Sequence, residues 1–130
     1  MATTYVQEVS IALLATGTAA MKNGDGKTTI YTVPADKKAT ITQVVIRQPT
    51  VSLAGGTNYN IGDGANADTW RIAINLSGMT GTNDYMVVTN NLAVISAVFD
   101  AGDEFGIKPV TGATADAEAE IDVYGREFDA

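Results

Sequence analysis

Apolar and polar residues alternate along short stretches of this chain, and turn residues break the pattern before any stretch grows long. Period two is the signature of a strand with one face buried, because successive side chains leave a strand on opposite sides. The clearest case is Thr69–Leu76, where Trp70, Ile72, Ile74 and Leu76 share one face and Arg71, Ala73 and Asn75 the other. Trp70 is expected to anchor the core. Ala117–Phe128 repeats the pattern, with Ala117, Ala119, Ile121 and Val123 inward and Glu118, Glu120, Asp122 and Tyr124 outward. Val6–Ala20 also reads as a strand: Tyr5, Gln7, Val9, Ile11 and Leu13 point one way and Val6, Glu8, Ser10, Ala12 and Leu14 the other.

The punctuation sets the remaining elements. Lys22–Lys27 holds an Asn-Gly and an Asp-Gly pair and forms a loop. Strands follow at Thr28–Val33 and, after a turn at Pro34–Lys37, at Lys38–Gln48, which Pro49 stops. Val51–Ile61 carries one short strand around Tyr59, and Gly62–Asp68 is a polar loop. Beyond the loop Gly78–Asn83, strands run over Tyr85–Thr89 and Ala93–Phe99. Asp100–Asp103 reads as a tight hairpin turn into Glu104–Lys108, which Pro109 ends, and Ala113–Asp116 is loop.

Eight or nine short strands with turn signals every ~8–12 residues specify an all-β, single-domain β-sandwich, jelly-roll-like, over residues 1–130. The segment 1–7 forms an N-terminal arm on this reading, because Ala2, Thr3 and Thr4 are polar or small and Tyr5, Val6 and Gln7 are strand-like. A free end of this kind can add a strand to another sheet.

Composition narrows the chemistry. There is no His and no Cys, which removes imidazole bases, thiolate nucleophiles, disulfides and most zinc sites together. The net charge of −7 repels phosphate backbones, and no basic cluster offers itself to an anionic membrane, so neither nucleic acid nor membrane is expected as a partner. Lys22 is the first basic residue, too late for the n-region of a signal peptide, so synthesis in a cytoplasm is expected.

Four local constellations carry side chains capable of chemistry. Asp63-Gly64-Ala65-Asn66-Ala67-Asp68 offers oxygen ligands but lacks the spacing and closing Glu of an EF-hand, and reads as a loop stabilised by its own Asn and Asp. Asp100, Asp103 and Glu104 group carboxylates at a turn, without the aromatic platforms of a glycan-cleaving cleft. Gly26-Lys27-Thr28 has Met21 where a phosphate-binding loop requires its first Gly. Glu118, Glu120 and Asp122 make an acidic outward row, suited either to solvent or to a basic partner surface. The tyrosines Tyr5, Tyr31, Tyr59, Tyr85 and Tyr124 are open to sugar stacking and to protein contact alike. No enzyme activity and no cofactor are expected.

Three phrases carry a family resemblance. Tyr31-Thr32-Val33-Pro34-Ala35-Asp36-Lys37-Lys38-Ala39-Thr40-Ile41 resembles a turn-and-strand phrase common in virion proteins of tailed bacteriophages. Phe99-Asp100-Ala101-Gly102-Asp103-Glu104-Phe105 resembles their Ala-Gly-Asp hairpin, and Ala119-Glu120-Ile121-Asp122-Val123-Tyr124-Gly125 is similar to their closing strand. The resemblance implies a structural virion protein, most like a capsid decoration (cement) protein that binds the outside of a phage capsid and bridges coat subunits. It implies the major capsid protein as partner, a capsid-surface location and a homotrimer on a three-fold position. The alternatives are a virion-displayed glycan- or receptor-binding module and a tail or fibre-attachment protein. Beside the arm, the contact candidates are Val51, Leu53, Met79 and Tyr85, apolar residues outside the strongest alternating strands.

A far-ultraviolet circular dichroism spectrum should be β-dominated, with helix below ~10% of residues. A helical spectrum would refute the assignment.

Overall fold

The computed structural model describes residues 11–89 and 98–130. Nine strands occur among them: β1 (Ala12–Ala20), β2 (Thr28–Thr32), β3 (Lys37–Arg47), β4 (Asn58–Gly62), β5 (Arg71–Ile74), β6 (Tyr85–Thr89), β7 (Val98–Asp100), β8 (Glu104–Thr111) and β9 (Glu118–Asp129). There is no helix among the described residues. The N-terminal arm, the start of the Val6–Ala20 strand and most of the Ala93–Phe99 strand lie outside the described residues.

The strands form two antiparallel sheets. One has the order β1-β9-β3-β6, with β7 also pairing β3 beyond the end of β6; the other has the order β2-β8-β4-β5. Successive strands of the first half therefore alternate between sheets, and the two terminal strands β1 and β9 pair with each other. This arrangement is the all-β sandwich that the turn spacing implies. Inward residues of both sheets, among them Ile41, Val44, Ile46, Ile121 and Val123 from one and Tyr59, Ile61, Phe105 and Ile107 from the other, merge into one buried cluster.

Trp70 sits at the centre of that cluster with no exposed surface. Its indole Nε1 donates to the Ile41 carbonyl at 3.2 Å, so the one polar atom of the side chain is satisfied across the sandwich. Phe105 takes Trp70 edge-on at 5.7 Å between centroids and Phe99 at 5.2 Å, which ties the β7 sheet to the β8 sheet. Close backbone approach fixes two positions. A Cβ on Gly125 would lie 2.0 Å from the Thr40 carbonyl oxygen, and one on Gly106 2.0 Å from that of Thr28, so only glycine fits at either. Each faces a neighbouring strand next to a register shift, at Ile41/Gln43 and Thr29/Tyr31 respectively.

Four expectations from the sequence need correction. Ile72 is 48% exposed rather than facing the core, because Ala73 adopts φ 59° and the pairing with β4 shifts register between Tyr59 and Ile61. Trp70 and Ile74, on either side of the bulged residues, are both buried, so on the expected inward face only Ile72 is displaced. Pro109 does not end its strand: β8 continues to Thr111, with Pro109 opposite Tyr59 at another register shift. β2 pairs β8 only as far as Ile107, so the missing N–H of Pro109 falls where β2 offers no ladder. Asp100–Asp103 is a tight turn, closed by Asp103 N–H to the Asp100 carbonyl at 2.9 Å, but it is not a hairpin. It carries the chain from β7 in one sheet to β8 in the other, and the Val33 backbone holds it by accepting from Gly102 and donating to Asp103. Asp122, placed outward by the alternation, is only 7% exposed, for reasons that belong to the site below.

At the end of the sandwich where β3 finishes and β6 begins, Ala113 N–H donates to the Met21 carbonyl at 2.9 Å, and one buried hydroxyl braces the same pair of loops. Tyr59 Oη donates to the Met21 carbonyl at 2.8 Å and accepts from Ala113 N–H at 3.0 Å. Replacing Tyr59 by Phe keeps the ring and removes that link. The expected cost is about 1–2 kcal/mol in urea unfolding, with the native fold retained; a change below ~0.5 kcal/mol would show that the hydroxyl does not hold these loops.

Candidate protein-contact surface

The outer face of the five-stranded sheet is laid out in rows by the ladder registers. Thr18, Glu120, Arg47 and Tyr85 form one row across β1, β9, β3 and β6. Thr16, Asp122, Val45 and Val87 form the next, and Leu13, Tyr124, Gln43 and Thr89 the third. Val98 continues the face on β7 opposite Thr40. Leu13, Tyr85, Val87 and Val98 are 51, 69, 48 and 48% exposed, which is unusual for large apolar side chains gathered on one sheet face. On the other sheet the exposed Ile72 and Val110 lie on β5 and β8, separated by β4, whose outward residues are Asn58 and Asn60.

A charge cluster sits in the middle of the apolar rows. Arg47 Nε donates to Asp122 Oδ2 at 2.8 Å and Arg47 Nη2 to Asp122 Oδ1 at 3.2 Å, a two-pronged pair. Thr16 Oγ1 donates to Asp122 Oδ1 at 2.7 Å, and Arg47 Nη1 donates to Gln48 Oε1 at 2.5 Å. The outward row of β9 thus carries Asp122 between strands that each offer it a donor. The hydrogen bond from Arg47 holds the Asp122 carboxyl below the usual carboxylate range; burial pushes the other way, and Thr16 adds to the lowering. Beside it, Thr18 Oγ1 donates to Glu120 Oε2 at 2.6 Å.

The four described contact candidates divide. Tyr85 and Val51 are exposed, at 69 and 42%. Leu53 and Met79 are buried, at 0 and 3%, and Leu53 N–H donates to the Met79 carbonyl at 2.9 Å. Both close the end of the core and offer no contact surface. The same end is fixed by Gln48 N–H to the Asp84 carbonyl at 3.0 Å and Thr50 N–H to the Glu118 carbonyl at 2.8 Å. The candidates Ala2, Thr3, Thr4, Tyr5, Val6 and Gln7 lie outside the described residues. Val45, Val87 and Arg47 were not singled out in the sequence. The period-two pattern of Tyr85–Thr89 gives the side on which Val87 emerges, but the pairing that sets it beside Val45 and Arg47 is long-range.

The remaining constellations are occupied locally. Thr69 Oγ1 donates to Asp63 and accepts from Asp63 N–H, while Asn66 accepts from Asn60 and Lys108. Asp103 accepts from Asp100 N–H, and Lys27 Nζ donates to the Glu104 carbonyl. Among the described residues no group of three acidic side chains converges as a cation site. Tyr31 and Tyr59 are buried, so neither is a sugar platform, and the Tyr31 hydroxyl donates to Glu127 at 2.6 Å.

In solved structures the fold has a counterpart. The chain is similar to a chain titled "Cyanophage Pam1 capsid asymmetric unit", with a TM-score of 0.54, 14% identity, and coverage of 96% of this chain and 91% of that one. At that identity the likeness is one of fold. No protein-family model matches the chain, and no curated protein matches it. The two chains therefore share a fold over nearly the full length of both.

The Asp122 pair sets a pH dependence. Its carboxyl has a lower pKa folded than unfolded, where about 3.9 is usual. The stabilisation is therefore present above about pH 4 and is lost as pH falls through the folded value. Asp122→Asn should cost about 1–3 kcal/mol at pH 7, the Arg47 side chain being 35% exposed and able to reach water. Thermal melts should fall less between pH 5 and pH 2 for the variant than for the wild type; parallel acid limbs would show that the pair does not carry the dependence.

Proposed function

We propose that this protein is a non-catalytic structural component of a phage virion that coats the outside of the capsid and stabilises it by bridging neighbouring coat subunits. The observation that carries the reading is the shared fold with a chain of a phage capsid asymmetric unit over nearly the full length of both. Two features of the chain support it. A sandwich with a broad exposed sheet face suits a protein whose work is contact. Without His or Cys, the chain also lacks the usual means of nucleophilic and general-base chemistry.

The partner on this reading is the major capsid protein, and three copies stand together at three-fold or local three-fold positions. A cyclic trimer presents three identical patches, so its symmetry agrees with that of the site. Many weak bridges of this kind act together, because each bound patch raises the effective concentration of the next.

Heads prepared with and without the protein test the reading. Cryo-electron microscopy should show added density on the outer surface in groups of three, and decorated heads should survive heating to a higher temperature. Density inside the shell or on the tail, isolated single copies, or equal heat resistance would overturn it. Retention on a glycan array would turn the reading towards a receptor-binding module.

A further inference from the structure

We propose that the corner of the five-stranded sheet bearing Tyr85, Val87, Glu118 and Glu120 is the face that docks on the coat protein, and that the coat surface beneath it is apolar at its centre and lined with Lys or Arg at its rim. This rests on the shell-coating reading and deepens it by assigning the surface and the chemistry of the partner.

Three observations carry the assignment. The first is apolar exposure on an ordered strand. Tyr85 and Val87 stand on the same side of β6 beside Arg47 and Val45, and a shallow groove lined by Gly78, Asn83 and Met86 opens next to Tyr85. Aromatic residues flanked by ordered backbone make good anchors, since little side-chain freedom is lost on docking. The outer face also has the size for a contact. Four strands at ~4.8 Å and four outward rows at ~6.7 Å span about 500 Å², approaching the ~800 Å² that each partner contributes to a standard interface.

The second is the centre of the face. Asp122, Arg47 and Thr16 satisfy one another within the chain. A partner that covers them strands no charge, and so avoids the cost of an unpaired buried ion.

The third is charge complementarity. Asp84, Asp116, Glu118 and Glu120 gather around this corner, and Glu118 and Asp116 are exposed. Against them stands Lys22, since Arg47 is committed to Asp122. Among the described residues, neither Glu118 nor Glu120 forms an ion pair. Within a chain of net charge −7, this corner would repel a second copy presenting the same patch and attract a basic surface.

Binding of purified protein to heads assembled without it, at 50 and 300 mM NaCl, tests the proposal. Wild-type binding should weaken with salt, as expected for contacts screened over a Debye length. Glu118→Gln combined with Glu120→Gln should weaken binding at 50 mM about tenfold and flatten the salt response, and Val87→Asp and Tyr85→Ser should each reduce binding at least as much. All four side chains are at the surface, and a melt at pH 7 establishes that each variant is folded. Lys108→Gln, on the opposite sheet, should bind like the wild type. If the wild type binds and the corner variants bind equally well, the docking face lies elsewhere and the shell-coating reading stands. Corner variants that lose self-association in light scattering but still bind heads would reassign the face to a contact between copies. If the wild type fails to bind heads, both readings fall.

Discussion

Everything in the five-stranded sheet depends on β9 running between β1 and β3. Its inward residues Ala119, Ile121 and Val123 supply the core, while its outward residue Asp122 is held by Arg47 from β3 and Thr16 from β1. The same short stretch therefore does two jobs on its two faces. Burial of the inward face gives the sheet its driving force; the outward charge fixes the register of three strands, because a slip of one residue would point Asp122 into the core. The small alanines on the inward side leave room for the large side chains of the opposite sheet, of which Tyr59, Trp70 and Phe105 are fully buried.

Much of this was legible in the sequence wherever local physics decides. Period-two alternation located β9 and β6 within a residue or so, turn residues located the loops, and Trp70 was recognisable as the anchor. The misreadings share a cause. Ile72 looked buried because alternation assumes an unbroken pleat, and the bulge at Ala73 depends on how β5 meets β4. Pro109 looked like a stop because its tolerance depends on where β2 ends. The Asp100–Asp103 turn looked like a hairpin because turn chemistry specifies a reversal of direction and says nothing about which sheet receives the next strand. In each case the deciding partner lies on another strand, beyond the reach of local pattern.

The surface was less legible than the core for the same reason. Val51 and Tyr85 stood out as apolar residues beyond the strongest strands, and they are exposed. Leu53 and Met79 met the same criterion, yet the loop at 48–57 folds back on the 75–84 loop and buries them. A patch is a property of neighbouring strands, so Val87 and Val45 acquire significance only once β6 lies against β3. The asymmetry that results, an apolar and acidic face on one sheet against an Asn-bearing one on the other, gives the sandwich a side to present.

The joining of the chain's two ends in one ladder has a kinetic consequence. Thr16 meets Asp122, and Thr18 meets Glu120, only after nearly the whole chain between them has been brought into place, so loop-closure entropy opposes the step and folding is slow. Where contacts of that separation form after the transition state, the strength they add goes mostly into slowing unfolding. In the proposed shell-coating role, the time a copy takes to come apart matters more than the equilibrium it would reach, and a ladder that clasps first strand to last acts on that time.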